Sequence, residues 1–210
     1  MEDYIAAYSQ PQDQVLAWLE KQTHLRTNHA RMLCGPVEGK LLEMISGMIS
    51  PGRILEIGAF TGYSSICLAR GLKKGGMLDT LESNDELEDL IREAYRRAGL
   101  EDRIRLYLGD AKKIIPGLDK IYDLVFIDAN KREYTRYYDL VWDKVRPGGY
   151  ILADNVLWNG KVFSEQAPGD AQTRGIMEFN ERVRNDPRVE NVILPLRDGL
   201  SLIRKKIPFG

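Results

Sequence analysis

Three short stretches of the sequence carry side chains able to do chemistry together. Asp128-Ala129-Asn130-Lys131 follows the apolar run Leu124-Val125-Phe126-Ile127, and Asp154-Asn155 follows Tyr150-Ile151-Leu152-Ala153. Asp128, Asp154 and Asn155 together offer two carboxylates and one amide oxygen. This is a hard oxygen set suited to Mg²⁺, with positions left over for water or for the two oxygens of a vicinal diol. Lys131 stands one helical step beyond Asp128. A divalent cation nearby would lower its pKa and let the neutral amine take a phenolic proton. Each residue also has a plainer reading: an Asp at a strand end is a common cap or turn residue, and most lysines sit on the surface.

The third stretch, Glu56-Ile57-Gly58-Ala59-Phe60-Thr61-Gly62-Tyr63-Ser64, is a glycine-bracketed turn between an apolar run and an amphipathic stretch. Such a turn lets backbone approach a ligand before a helix opens. It does not supply the Gly-x-Gly-x-x-Gly spacing that cradles a pyrophosphate, so a nucleoside cofactor without phosphates fits better. Glu82, at the end of the next apolar run, can accept hydrogen bonds from both hydroxyls of a ribose, and Glu56 offers a negative charge to a cationic group. Both carboxylates match S-adenosylmethionine. Read alone, Gly58 and Gly62 are better taken as a simple strand-to-helix turn and Glu82 as a solvated strand end; the Asp128 and Asp154 stretches reverse that preference.

The elements that must hold these residues can be read from periodicity. From about Gln12 to Met48 the spacing of Leu16, Trp18 and Leu19, then of Val37, Leu41, Leu42, Met44 and Ile45, predicts helices that stop at Ser50-Pro51-Gly52. Beyond Arg53 the chain alternates. Strands are expected at Ile54–Ile57, Met77–Glu82, Ile104–Leu108, Leu124–Asp128, Tyr150–Asp154, Val192–Leu196 and Leu200–Arg204. Helices are expected from Tyr63, over Asp85–Ala98, near Lys112, over Tyr134–Val145 and over Ala171–Val183. Alternation of this kind implies right-handed crossovers and a mostly parallel seven-stranded sheet with helices on both faces. Arg197-Asp198-Gly199 is a hairpin signal, which makes one edge strand antiparallel. In such sheets ligands bind beyond the carboxyl ends of the strands, where the three stretches fall.

Composition narrows the partners. The 210 residues, 43% apolar, can bury the core of one α/β domain, with residues 1–50 as an N-terminal helical segment and 51–210 as the sheet-bearing core. Thirty basic and 31 acidic residues are spread along the chain, so no charge footprint points to nucleic acid or to an anionic membrane, and a small-molecule partner is favoured. Two cysteines, Cys34 and Cys67, suit a reducing compartment. Met1-Glu2-Asp3-Tyr4 lacks a signal-peptide pattern and no apolar run could span a bilayer, which predicts a cytoplasmic protein.

Taken in order, Glu56 to Ser65, Phe126 to Lys131, Asp154 to Gly160, and Leu194-Pro195 with Asp198-Gly199 resemble the catechol and caffeoyl-CoA O-methyltransferase family from about Met32 to Lys205. The resemblance implies a Rossmann-like methyltransferase domain. By it, Asp128, Asp154 and Asn155 would hold the divalent cation, Mg²⁺ first, with Mn²⁺ and Ca²⁺ as alternatives, and Lys131 would be the base. Cys34 (through its backbone), Glu56, Gly58, Ala59, Ser64, Glu82, Ala111, Asp128 and Asn130 would line the S-adenosylmethionine site. Asn159 and Trp158 would border an aromatic diol acceptor. A homodimer is also implied. The family often carries Asp at the position of Asn130, where the amide keeps the hydrogen bond but not the charge.

Two other readings compete. A methyltransferase acting on RNA or protein would share the cofactor turn but would give Asp128, Asp154 and Asn155 no common task. A non-catalytic nucleotide-binding assembly protein would have no reason to hold Lys131 beside three hard ligands. Trp158 to Arg174, long for a connector, reads either as a mobile rim over the acceptor or as a solvated loop. His24 and His29 read as surface residues. The doublets Lys73-Lys74, Lys112-Lys113 and Lys205-Lys206 read as solvated, and Trp18, Trp142 and most tyrosines as packing groups. Tyr134 and Tyr137 follow Lys131 closely enough to approach the site.

Overall fold

The apolar runs do become strands. Tyr122–Ile127 is buried except at Asp123, the pattern of an interior strand covered on both faces. The computed structural model describes residues 2–163 and 170–208. Its helices are α1 (Glu2–Tyr8), α2 (Gln14–Arg26), α3 (Gly35–Ile49), α4 (Tyr63–Arg70), α5 (Glu88–Arg97), α6 (Ala111–Ile114), α7 (Tyr134–Val141) and α8 (Ala171–Arg184). Its strands are β1 (Arg53–Ile57), β2 (Met77–Glu82), β3 (Ile104–Leu108), β4 (Tyr122–Ile127), β5 (Val145–Ala153), β6 (Val189–Leu194) and β7 (Leu200–Lys205). The sheet runs β3-β2-β1-β4-β5-β7-β6. β2 and β3 are parallel, as are β4 and β5, while β7 is antiparallel to both β5 and β6. This is the expected Rossmann-like sheet, with its antiparallel pair at one edge.

The chain divides into two compact units, the first being Met1–Ile54 with Ala59–Gly109. Here the expected helical stretch from Gln12 to Met48 is two helices. Asp13 caps α2 by accepting from the Val15 and Leu16 amides at 2.9 and 3.0 Å. The helix ends at Thr27, whose backbone is extended, and a fresh start at Gly35-Pro36 follows because proline has no amide to continue a helix already under way. α1 was not expected from the periodicity; on it Tyr4 and Tyr8, one turn apart, stack with ring centroids 4.3 Å apart. α3 packs on α4, where the Ser46 hydroxyl donates to the Leu68 carbonyl at 2.7 Å. α5 carries acids in its first turn and arginines in its last, in accord with the helix dipole, and Arg97 lies 4.1 Å over the Trp18 ring of α2.

The second unit is Leu55–Gly58 with Asp110–Gly210. Several boundaries differ from expectation. α7 stops at Val141 and a 3-10 turn, Trp142–Lys144, leads into a β5 that begins at Val145. β6 begins three residues before Val192 and ends two before Leu196, its register set by antiparallel pairing from Val189↔Lys205 to Leu194↔Leu200. Asp128 and Asp154 lie one residue past their strands rather than within them. The lysine doublets include one that is not solvated: Lys205 donates to the Trp142 and Val145 carbonyls at 2.8 and 2.9 Å and lies 4.4 Å over the Trp142 ring. Its burial pulls the ammonium below the ordinary lysine value. His24 and His29 are exposed, as expected. Of the long connector, Trp158–Phe163 forms 3-10 turns, residues 164–169 lie outside the described residues, and Asp170 caps α8 through the Gln172 and Thr173 amides.

Candidate active site

In the first unit the glycine turn is organised by a carboxylate. Glu82, the last residue of β2, accepts the Phe60 amide on one oxygen at 2.7 Å and the Asn84 amide on the other at 2.8 Å. The Ala59 amide reaches back to the Leu81 carbonyl at 3.1 Å. Charge-assisted bonds to backbone are strong, so Glu82 fixes the turn, and its Oε2, which accepts the Phe60 amide, has a further lone pair that suits a ligand hydroxyl, while Oε1 also receives the Ser83 hydroxyl at 3.5 Å. Gly62 stands at φ +92° against Tyr95, where a Cβ would lie 2.7 Å from the ring. Ala59 and Ser64 are buried beside this turn, Ser64 in the first turn of α4. Cys34, also buried, precedes α3.

In the second unit, strand register assembles the proposed ligands. β4 and β5 run parallel with Ile127 opposite Ala153, so Asp128 and Asp154 emerge side by side. The ladder extends past the strands: the Asp128 amide donates to the Ile57 carbonyl at 2.9 Å and the Asp154 amide to the Ile127 carbonyl at 3.0 Å. Gly58, at φ +99°, is tight against this edge, and a Cβ there would lie 2.0 Å from the Asp128 carbonyl oxygen. Glu56 is fully buried on β1. Asp154 is buried and accepts the amide of Asn155, which adopts a left-handed backbone at φ +59°.

Lys131 is buried, against the expectation that most lysines lie on the surface. Its ammonium donates to Asp128 Oδ1 at 2.7 Å and to the Tyr134 hydroxyl oxygen at 2.7 Å. Tyr134, wholly buried, donates in turn to the Asp154 carbonyl at 2.9 Å. Burial, with the Asp128 and Asp154 charges adding to it, holds the Tyr134 phenol well above its ordinary pKa, so it stays a neutral donor. Asn130 precedes the 3-10 turn Lys131–Glu133 and accepts the Arg132 amide at 3.3 Å, so in this structure it is a cap. Ala111 opens α6 and is buried.

Asn159 is exposed and held by its amide donating to Asp198 Oδ1, while Trp158 is half-buried with an indole N–H that finds no acceptor among the described residues. Both have left-handed backbones, at φ +52° and +48°. Sequence reasoning missed Asp198 as the anchor of Asn159, and it missed Gly175 on α8, where a Cβ would lie 2.5 Å from the Lys131 carbonyl oxygen. An isolated glycine inside a helical pattern was the available signal.

The donor chemistry suits a hard cation: two carboxylates at adjacent strand ends and a neighbouring amide oxygen. Among the described residues no group of three or more His, Cys, Asp and Glu side chains is gathered for a metal, so any such site depends on the amide of Asn155 and on oxygens brought by ligand or water.

A sequence profile described as O-methyltransferase matches residues 5–206, and the chain belongs to that family, as an S-adenosylmethionine-dependent O-methyltransferase. It is 35% identical to caffeoyl-CoA O-methyltransferase 2 of Populus trichocarpa over 185 residues, 80% of this chain and 72% of the relative. It is similar in structure to the O-methyltransferase of Bacillus cereus solved in complex with SAH, with a TM-score of 0.88, 30% identity, and 97% and 96% of the two chains covered. The O-methyltransferase TomG of Streptomyces achromogenes, solved with SAM, matches with a TM-score of 0.89 and 29% identity over 97% and 94% of the chains. No helix among the described residues is long and apolar enough to cross a membrane.

Proposed function

We propose that the protein transfers a methyl group from S-adenosylmethionine to one hydroxyl of a catechol-type vicinal diol, a small phenolic or phenylpropanoid acceptor, with a divalent cation held by Asp128, Asp154 and Asn155. The observation that carries this reading is the buried Lys131 amine, fixed between Asp128 and Tyr134 where β4 and β5 end side by side. A base set among hard oxygen donors is what deprotonation of a chelated diol requires. The caffeoyl group in the names of the plant relatives is itself an aromatic vicinal diol, which supports the acceptor class.

When bound, S-adenosylmethionine supplies a sulfonium methyl for in-line displacement, and the cation supplies a positive charge that favours the phenolate and anchors both diol oxygens. The chain's own residues do the rest. Glu82 and the turn it fixes bind the nucleoside, with Ala59, Ser64 and Cys34 of the same unit beside it, and the family resemblance supports cofactor roles for Glu56, Gly58, Ala111, Asp128 and Asn130 of the second unit. Lys131 accepts the phenolic proton at Nζ, and Asp128 stabilises the resulting ammonium through the contact it already makes. Trp158 and Asn159 border the acceptor, and the Trp158 N–H is a donor that a polar substituent could satisfy. The reading includes a cytoplasmic homodimer. The family resemblance supports the dimer, and the burial of Cys34 and Cys67 as thiols is in keeping with a reducing compartment.

Metal binding can be tested without turnover. Titrating Mn²⁺ into the apoprotein, read by electron paramagnetic resonance, should give a saturable site that Asp154→Ala weakens by about tenfold or more. Equal binding by parent and variant would remove Asp154 from the ligand set.

A further inference from the structure

Tyr134 touches both halves of this arrangement. Its hydroxyl oxygen receives Lys131 Nζ at 2.7 Å, and its proton goes to the Asp154 main-chain carbonyl at 2.9 Å, with the Ile127 carbonyl a more distant acceptor at 3.2 Å. The phenol can do both because a hydroxyl has one proton to give and lone pairs to receive with. The ring is immobilised: it is fully buried, meets Phe179 of α8 edge-on at 5.4 Å between centroids, and has Lys131 Nζ 4.9 Å from its own centroid.

An sp³ nitrogen bonded to one carbon has three further tetrahedral positions. In Lys131 two are committed, one to Asp128 Oδ1 and one to the Tyr134 oxygen. Fixing two positions fixes the third. In the ammonium the third position is an N–H, and in the neutral amine it is the lone pair that accepts a proton. With only Asp128 as partner, the two remaining positions on the nitrogen would be equivalent, and the lone pair could take either one. A base that must be aligned to within a fraction of an ångström loses rate steeply under such freedom.

We propose that Tyr134 is a positioning residue for the methyl-transfer reaction: by bridging Lys131 Nζ to the Asp154 carbonyl it aims the free position of the lysine nitrogen and locks the base to the strand end that carries Asp154. The proposal rests on the reading of Lys131 as the base. It requires a phenol rather than merely an aromatic ring at position 134, since phenylalanine would keep the packing against Phe179 and lose both bonds.

The test compares Tyr134→Phe, Lys131→Ala and the double variant. Tyr134→Phe should stay folded, bind S-adenosylhomocysteine within about twofold of the parent and lose roughly ten- to hundredfold in kcat, the scale of a lost hydrogen bond to a charged group. Because Tyr134 acts through Lys131, adding Tyr134→Phe to Lys131→Ala should cost nothing further. If Tyr134→Phe keeps parental kcat while Lys131→Ala is inactive, the positioning role is wrong and the base stands. If Lys131→Ala keeps parental kcat, the base assignment falls and the proposal with it. Losses that simply multiply in the double variant would make Tyr134 a structural residue only. Should the Phe variant not fold, the parent decides: in ¹⁵N-lysine-labelled protein the Lys131 ammonium protons should exchange with water far more slowly than those of the exposed lysines, and fast exchange would overturn the proposal.

Discussion

Gly175 of α8 lies directly against the backbone of Lys131: a Cβ at that position would come within 2.5 Å of the Lys131 carbonyl oxygen and 2.7 Å of Arg132 Cα. The turn that carries the proposed base is therefore seated on a helix that can approach it only where a side chain is missing. The same helix supplies Phe179 to the Tyr134 ring.

Gly175→Ala should accordingly cost about 1–3 kcal/mol of stability through overpacking and about tenfold or more in kcat, because the Lys131 backbone must move away from α8. Thermal denaturation and steady-state kinetics read the two effects separately. A variant with parental kcat would show that the turn does not depend on this contact.

Gly58→Ala should be the more damaging glycine substitution. It combines a left-handed backbone with a Cβ placed 2.0 Å from the Asp128 carbonyl oxygen, where the neighbour is backbone and cannot rotate away. A loss above about 2 kcal/mol in urea unfolding is expected. Unchanged stability would contradict the close approach.

Glu82→Ala removes the acceptor of the Phe60 and Asn84 amides. Affinity for S-adenosylhomocysteine, measured by calorimetry, should fall by roughly ten- to a hundredfold as the turn loosens and a ribose partner is lost. Parental affinity would show that Glu82 serves the turn without serving the cofactor.

Asp186 gives a pH prediction in the second unit. Hydrogen bonds from the Arg188 side chain at 2.6 and 2.8 Å hold its carboxyl well below the ordinary range, with the Arg188 amide and the Tyr138 hydroxyl adding to the effect against its burial. A carboxylate whose pKa is depressed by folding stabilises the folded state above its unfolded value, about 3.9, and that stabilisation is lost as pH falls toward the folded value. Asp186→Asn should cost about 2 kcal/mol at pH 7, discounted from a fully buried pair because Arg188 is half exposed. The gap between parent and variant should narrow below about pH 4. A gap constant with pH would assign the effect to packing.

The legible part of the fold was the part written in short-range patterns. Short apolar-rich stretches placed β1, β2 and β3 to within a residue and β4 to within two, and in β1 and β4 near-complete burial leaves an almost unbroken apolar run. The Asp-Gly of the Arg197-Asp198-Gly199 turn marked the β6–β7 hairpin. The two apolar groups of the N-terminal stretch, Leu16 to Leu19 and Val37 to Ile45, marked α2 and α3, and Pro36 is the local signal for where the second of them starts. The proposed site was legible as residue types at strand ends. Its internal wiring was legible only in part: Tyr134, three residues past Lys131, stood close enough to approach the site, and Gly175 was an isolated glycine in a helical pattern, but the burial of Lys131, the bond from Tyr134 to the Asp154 carbonyl and the packing of α8 on the Lys131 turn are made across the fold.

Methyl transfer from labelled S-adenosylmethionine to matched catechols and monophenols, each with Mg²⁺ and again with excess chelator, tests the central claim most directly. Labelled product from the diols alone, abolished by chelator and restored by added Mg²⁺, is the expected result. Transfer that proceeds equally in chelator, or that takes monophenols as readily as diols, would contradict the assignment of Asp128, Asp154 and Asn155 as the ligands of a diol-binding cation.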